Sequence, residues 1–297
     1  MGTYGRDEVL RCFLESLRKQ THRDFKFIIV DQNTDYRIKQ ICNDYSSDFK
    51  ILYLRADKPG LSLARNIGIK YVSEDIVAFP DDDCEYPPDL LANVNTFFEK
   101  NHKYNILTVA QSDTKTKKKV SWFLPKPCNI RETNILRAGT SISIFIKIKN
   151  NLLNFDEQFG VGAPLGSAEE KDYLFRLLQL GYKGYYDPGL EVHHQERNFN
   201  NISLNTIHNY EIGLGAYLKK HMFFGQHWNL LGICFTLLLV RPIGGMLFSL
   251  AKLNLLQFTQ YKTRFKGRIK GFITYNRNSY AISKTFNSPC PIIRNRQ

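Results

Sequence analysis

Phe79-Pro80-Asp81-Asp82-Asp83-Cys84 sets three carboxylates directly behind the apolar run Asp75-Ile76-Val77-Ala78-Phe79. That run has strand length, and its Ile and Val suit a buried strand. Glu85-Tyr86-Pro87-Pro88 follows and has to leave the sheet. The carboxylates therefore stand at the carboxyl end of a buried strand, where open α/β sheets bind their ligands. Their hard oxygens suit Mg²⁺ or Mn²⁺, cations that also hold substrate phosphates in such sites. A solvated acidic turn has the same composition, so the flanking sequence has to decide.

Upstream, strand and helix signals alternate. Val9, Leu10, Phe13, Leu14 and Leu17 keep the 3,4 spacing of an amphipathic helix. Phe25 to Val30 reads as a buried strand ending in Asp31-Gln32-Asn33, with a helix over roughly 35–45 and a strand at Ile51 to Leu54. Gly60-Leu61-Ser62-Leu63-Ala64-Arg65-Asn66 opens the helix that leads into the strand before Asp81. This alternation with short links predicts an α/β fold, a mostly parallel sheet with helices on both faces. Downstream come a helix within 86–100, a strand at Ile106 to Ala110, a charged turn at Lys115 to Lys119, and a strand at Ser141 to Ile146 with one wet face.

A glycine-rich loop, Gly160 to Gly166, delivers Glu169-Glu170-Lys171-Asp172 to the start of a helix closed by Gly181. One acidic residue there is an ordinary cap on orphan N–H groups. Three in four positions can instead hold different pKa values, as acid–base chemistry requires. His193-His194 end another apolar strand, and a histidine pair at a strand terminus is a metal-ligand candidate.

In this order, six segments resemble the family-2 glycosyltransferases of the GT-A fold. They are Thr3-Tyr4-Gly5-Arg6, Val30-Asp31-Gln32-Asn33, Gly60 to Asn66, Phe79 to Asp83, Glu169 to Asp172 with Arg176, and Val192-His193-His194. The resemblance covers about residues 1–200. It implies nucleotide contacts at Thr3 and Asp31, and Arg65 on the diphosphate side. Asp81 and Asp82 fall on the donor side, with Asp83, Asp81 and His194 around a Mn²⁺ or Mg²⁺ ion that neutralises the leaving diphosphate. It also implies Glu170 as the general base, with Glu169 and Asp172 as substitutes because the family's base is often Asp. The family carries an apolar strand directly before its Thr-Tyr-Gly-Arg segment. This sequence begins at Met1, which leads us to expect a start further upstream.

Charge divides the chain. The 28 acidic residues all lie in 1–211 and balance 28 basic ones there, so the net charge of +13 belongs to the 13 basic residues after Glu211. That predicts a catalytic domain over 1–211 and a helical, basic region over 212–297. Leu230 to Val240 is too short to span a bilayer, which needs about 20 residues. Arg241-Pro242 is expected to bend the segment, which would lie in the membrane interface beside a basic stretch from Lys262 to Lys270. Core helices or a homodimer seam are the competing reading. Six scattered cysteines, with no CxxC pair and no secretory signal, point to reduced thiols in the cytosol.

The sequence thus predicts a metal-dependent, inverting glycosyltransferase, peripheral on the inner face of the cell membrane. Its donor is a nucleotide-sugar and its acceptor a saccharide or lipid-linked saccharide, in cell-surface polysaccharide synthesis. The alternatives are a nucleotidyltransferase using Asp81 and Asp83, and an inactive nucleotide-sugar-binding scaffold at the membrane. Nucleic acid is not an expected partner, since no recognition module accompanies the basic tail.

Overall fold

The computed structural model describes residues 1–120, 122–149, 152–195 and 202–286. Among these it forms two compact units, Met1–Asn154 with Leu174–Glu196, and Phe155–Tyr173 with Arg197–Ser288.

The first unit opens with β1 (Gly2–Thr3), α1 (Glu8–Arg18), β2 (Lys26–Asp31), α2 (Arg37–Asp44), β3 (Lys50–Arg55) and α3 (Leu61–Ile69). Strands β1, β2 and β3 pair in parallel, as the alternating signals predict. Asp7 caps α1 by accepting from the Glu8 N–H, and α1 buries Leu10, Phe13, Leu14 and Leu17 on one face. Phe13 meets the rings of Phe27 and Tyr86 in a core that also takes in Ile29, Leu107, Phe145 and Val192.

From β4 (Ile76–Ala78) and β5 (Cys84–Glu85) the pairing changes character. After α4 (Leu90–Lys100) come β6 (Ile106–Ser112), β7 (Cys128–Ile130), α5 (Ile135–Ala138), β8 (Ile144–Lys147) and, later, β9 (Gly184–His194). The second sheet runs β4-β8-β6-β9-β5, with β7 on β9. Only β6 and β9 pair in parallel there; the other pairs are antiparallel. The α/β class therefore holds, while parallel pairing dominates only the first sheet. Antiparallel neighbours need no crossover helix, so helix–strand alternation does not reveal them. The strand expected to have one wet face has none, because Ile144, Phe145 and Ile146 are all buried. Between β2 and β4 lies a cavity of about 500 Å³ whose walls include Met1, Phe27, Ile28, Ile76 and Val77.

The second unit begins at Phe155 and carries the glycine loop and the first turn of α6 (Glu169–Gln179). It continues with α7 (Leu204–Lys219), α8 (Leu231–Phe235), α9 (Arg241–Ala251), α10 (Leu255–Thr274) and α11 (Arg277–Thr285). Helices α7 and α10 approach until backbone touches backbone. A Cβ on Gly215 would collide with the Arg268 carbonyl, and one on Gly271 with that of Ile212.

Two features of this region add to the sequence pattern. A boundary after residue 211 falls inside α7, because Glu211 is buried and its carboxylate binds Arg264 at 2.7 Å and also Arg268 of α10. Part of the tail's positive charge is thus neutralised within the unit. Nor do Arg241 and Pro242 break the apolar segment: Trp228–Ala251 runs as one helical stretch of 24 residues, long and apolar enough to cross a membrane. Pro242 stands in the first turn of α9, directly behind a π-helical turn at Thr236–Val240. A proline there sacrifices little, since its missing N–H falls where the hydrogen-bond ladder is already irregular. Arg294 and Arg296 of the basic tail lie outside the described residues.

Candidate active site

In the first unit the parallel register sets Thr3 beside Asp31 and Asp31 beside Arg55, all at carboxyl strand ends. The Asp81–Asp83 run leaves β4 at the same kind of terminus. Thr3, almost wholly buried, donates its hydroxyl to Asp82 Oδ2 at 2.8 Å. Arg6 spans two carboxylates, with Nη1 3.1 Å from Asp82 Oδ1 and 2.5 Å from Asp83 Oδ2. Arg65, its side chain 1% exposed, donates to Asp81 Oδ1 at 2.9 Å, and Ser141 Oγ lies 3.4 Å from the other oxygen. The β5–β9 pairing puts Cys84 opposite His194 and brings His194 Nε2 to 3.2 Å from Asp83 Oδ1.

Local sequence explains why His194 arrives here and His193 does not. Pro188 has no N–H to give, and the β6–β9 register skips from Asp187 to Glu191 before it resumes. Successive side chains then alternate across the strand. His193 meets Glu191 at 3.1 Å and Lys117 at 3.0 Å, while His194 meets Asp83.

The neighbouring carboxylates are tuned in opposite directions. Burial pushes Asp82 up, and the Thr3 hydrogen bond and Arg6 offset this only in part, so its pKa stays above the ordinary value. Burial also pushes Asp83 up, but His194 and Arg6 together outweigh it and hold that carboxyl well below the usual range. Asp83 is therefore the more acidic member of the pair.

A divalent cation fits this arrangement in a limited way. Asp83 and His194 offer one carboxylate and one imidazole, and the buried His194 Nδ1 has no hydrogen-bond partner. Among the described residues no three His, Cys, Asp or Glu side chains converge into a ready-made cage. Asp81, expected among the metal ligands, is instead taken up by Arg65 and Ser141. Two protein donors suit a cation that keeps several waters and takes its other ligands from phosphates.

Asp31 is also placed differently from expectation. It is wholly buried; Oδ1 accepts from the Asn33 backbone and side chain, and Oδ2 accepts from Tyr53 at 2.7 Å. Contact with a nucleotide would require one of these bonds to open. In this conformation Asp31 shapes the loop, and Asn33 passes the order on by accepting from the Gly5 N–H at 2.7 Å.

In the second unit the acidic start of α6 divides by burial. Glu169 is buried, whereas the Glu170 side chain keeps 16% of its surface and faces Lys171 Nζ at 3.5 Å. Burial lowers the Lys171 pKa, and Glu170 and Glu169 pull it part of the way back. Asp172 has no exposed surface, is ion-paired to Lys220 at 2.5 Å and lies in hydrogen-bond contact with His221 at 2.9 Å. A carboxylate shared between two buried partners is placed as an anchor. Lys220 and His221 carried no signal in the sequence, since 48 and 49 residues separate them from Asp172. Arg6 stood within a recognised segment, but only the fold shows that it bridges two carboxylates.

The folded chain has the fold of solved GT-A glycosyltransferases. It resembles the Staphylococcus aureus protein TarS, residues 1–349, solved with UDP-GlcNAc (TM-score 0.55, 16% identity, covering 93% of this chain and 90% of that one). It also resembles the mannosyltransferase PcManGT of Pyrobaculum calidifontis, solved with GDP-Man and Mn²⁺ (TM-score 0.60, 14% identity, covering 91% and 85%). The chain belongs to glycosyl transferase family 2, whose family model matches residues 1–155. An uncharacterised glycosyltransferase of Haemophilus influenzae is 27% identical over 181 residues, 60% of each chain. The minor teichoic acid biosynthesis protein GgaB of Bacillus subtilis is 30% identical over 114 residues, 37% of this chain. The chain spans 60% of the first relative's length and 13% of the second's. Family membership sets aside the nucleotidyltransferase reading.

Proposed function

We propose that this enzyme transfers a sugar, with inversion, from a nucleotide-sugar to a hydroxyl of a saccharide or lipid-linked saccharide in cell-surface polysaccharide synthesis. The observation that carries this reading is the Asp83–His194 pair, 3.2 Å apart behind a strand end. Bound there, Mn²⁺ or Mg²⁺ would neutralise the charge on the departing diphosphate. Arg65, buried beside Asp81, and Thr3, bonded to Asp82, hold the donor-side carboxylates in place. Glu170 is the base, with Glu169 as the buried runner-up. The acceptor oxygen forms its bond to the anomeric carbon as its proton passes to Glu170. The sugar–diphosphate C–O bond breaks with its electron pair going to the diphosphate, so a single in-line displacement inverts the centre. The nucleotide-sugars bound by TarS and PcManGT and the name of GgaB favour this donor class and this pathway class.

The same proposal includes attachment to the cytoplasmic face of an anionic membrane through Trp228–Ala251. Leu231, Phe235, Ile243, Leu247 and Leu250 are exposed at helical spacing, while Leu230, Cys234, Leu238, Pro242 and Ser249 are buried. A helix buried on one side and apolar on the other suits the headgroup boundary better than a crossing. The test of the enzymatic reading is a screen of nucleotide-sugars with Mn²⁺ or Mg²⁺ and a panel of saccharide acceptors. It expects release of one nucleoside diphosphate that chelator abolishes. Metal-independent release, or none across the panel, overturns it.

A further inference from the structure

Helix α7 does not end where its α-helical hydrogen bonds do; a π-helical turn, Lys220–Phe224, continues it. Such turns inside helices are uncommon and gather at functional places, because they re-aim consecutive side chains. Here they aim Lys220 and His221 into the interior, where both are buried. Lys220 Nζ lies 2.8 Å from Asp156 Oδ2 and 2.5 Å from Asp172 Oδ1, and 5.2 Å from the centre of the Phe159 ring. His221 Nε2 lies 2.9 Å from the same Asp172 oxygen.

The two carboxylates mark the two ends of one segment. Asp156 stands before the glycine loop, and its Oδ1 accepts from the Gln158 N–H at 3.0 Å. Asp172 stands after the loop, in the first turn of α6 and two residues beyond Glu170. Between them Ala168 has φ 70°, left-handed backbone that costs a residue with a Cβ roughly 1–2 kcal/mol. Ala168 immediately precedes Glu169, so the unfavourable backbone lies at the entrance to the helix that carries the base. Helix α7 grips the loop once more where Ser167 Oγ donates to the Tyr210 carbonyl at 2.6 Å.

A buried ion-pair cluster is a poor source of net stability, since well-packed apolar residues often do as well or better. What it supplies is direction: each partner is held at one distance and angle. We propose that Lys220 and His221 are positioning residues. Through Asp156 and Asp172 they fix both ends of the glycine loop and so set where Glu170 is presented. This inference rests on Glu170 being the base.

The test compares two substitutions of similar size and polarity that differ in reach. His221→Gln carries an amide nitrogen about as far as Nε2 and can still donate to Asp172; His221→Asn falls short of it. Steady-state kinetics and thermal unfolding are measured on both, in the full chain with Mn²⁺. The expected result is a kcat lowered about tenfold or more in His221→Asn, as misplacement of a catalytic group can cost. Donor KM should stay within about twofold, and His221→Gln should recover most of the loss. Wild-type kcat in His221→Asn, or equal losses in both variants, overturns the inference. A drop in unfolding temperature with unchanged kcat per folded enzyme also overturns it, since the cluster would then be structural only. Glu170→Gln run alongside separates the two readings. If it retains turnover the base assignment fails, whereas its inactivity beside an active His221→Asn refutes only the positioning role.

Discussion

Two acidic runs, Asp81–Asp83 and Glu169–Asp172, look alike as strings of residues and part company in the fold. In the first, the buried member is the middle one: Asp82 is closed in by Thr3 and Arg6, while Asp81 and Asp83 keep 31% and 22% of their side-chain surface. In the second, the buried members are the outer ones, Glu169 and Asp172, and Glu170 between them keeps an opening. Asp82 and Asp83 stand in the turn between β4 and β5, which points them apart, whereas one helical turn sends consecutive residues around the helix axis. The same composition therefore yields two outer carboxylates open beside Arg6, Arg65 and His194 in one place and one partly open carboxylate, Glu170, beside Lys171 in the other. What separates a functional carboxylate from a structural one is which partners have already claimed its oxygens.

Several experiments break or sharpen that contrast. The largest effect is expected at Asp83. Asp83→Ala removes the carboxylate held by His194 and Arg6 and should abolish Mn²⁺-dependent turnover while far-ultraviolet circular dichroism stays native. Near-wild-type activity in chelator-treated buffer refilled with Mn²⁺ would show that the cation binds elsewhere. Next comes the helix. Glu170→Gln should lower kcat by about 10²–10⁴ with donor KM little changed, whereas Glu169→Gln should lose less. Asp172→Ala should lower kcat as His221→Asn does and also cost about 3–5 kcal/mol in denaturant unfolding, because it removes the carboxylate that Lys220 and His221 share in the interior. A heavier kcat loss in Glu169→Gln than in Glu170→Gln would transfer the base to Glu169.

A smaller effect is expected at the outward face of Trp228–Ala251. Co-sedimentation with anionic vesicles should survive in part at 1 M salt, where screening shortens to about 3 Å. The pair Phe235→Ser and Leu247→Ser should cut the bound fraction severalfold. Equal and negligible binding of the wild-type chain to anionic and neutral vesicles would refute the membrane reading and leave this face to a protein partner.

The smallest effect is on acid stability. Asp83 has a folded pKa below its unfolded value near 3.9, so it stabilises the fold above that pH. This contribution disappears as pH falls through the folded value. Asp82, shifted upward, has the opposite sign and gains for the fold as pH falls. In metal-free buffer, Asp83→Asn should therefore be less stable than wild type at pH 6, with the gap narrowing progressively from about pH 4 down to about pH 2. Parallel stability curves down to that pH would show that Asp83 is not held ionised by Arg6 and His194.

Much of this enzyme is determined by sequence alone, for local reasons. Alternating apolar runs fix β2, β3, β4 and the amphipathic α1, because strand and helix periods are properties of neighbouring residues. Asp81–Asp83 and the start of α6 announce themselves as carboxylates behind a strand and behind a glycine loop. Their order along the chain is enough to indicate the family. Tertiary structure alone decided how those carboxylates are used. Asp31 turned inward because β2–β3 pairing brings Tyr53 to it while Asn33 closes its other oxygen from two residues away, and Asp81 pairs with Arg65. Asp172 became an anchor because α7 returns Lys220 and His221 from far along the chain, and Glu211 was claimed by α10. A charge's role depends on what lies within about 4 Å, where its Coulomb energy is large and desolvation decides the sign. Contacts across dozens of residues are set by packing, and no pattern of neighbours along the sequence encodes them.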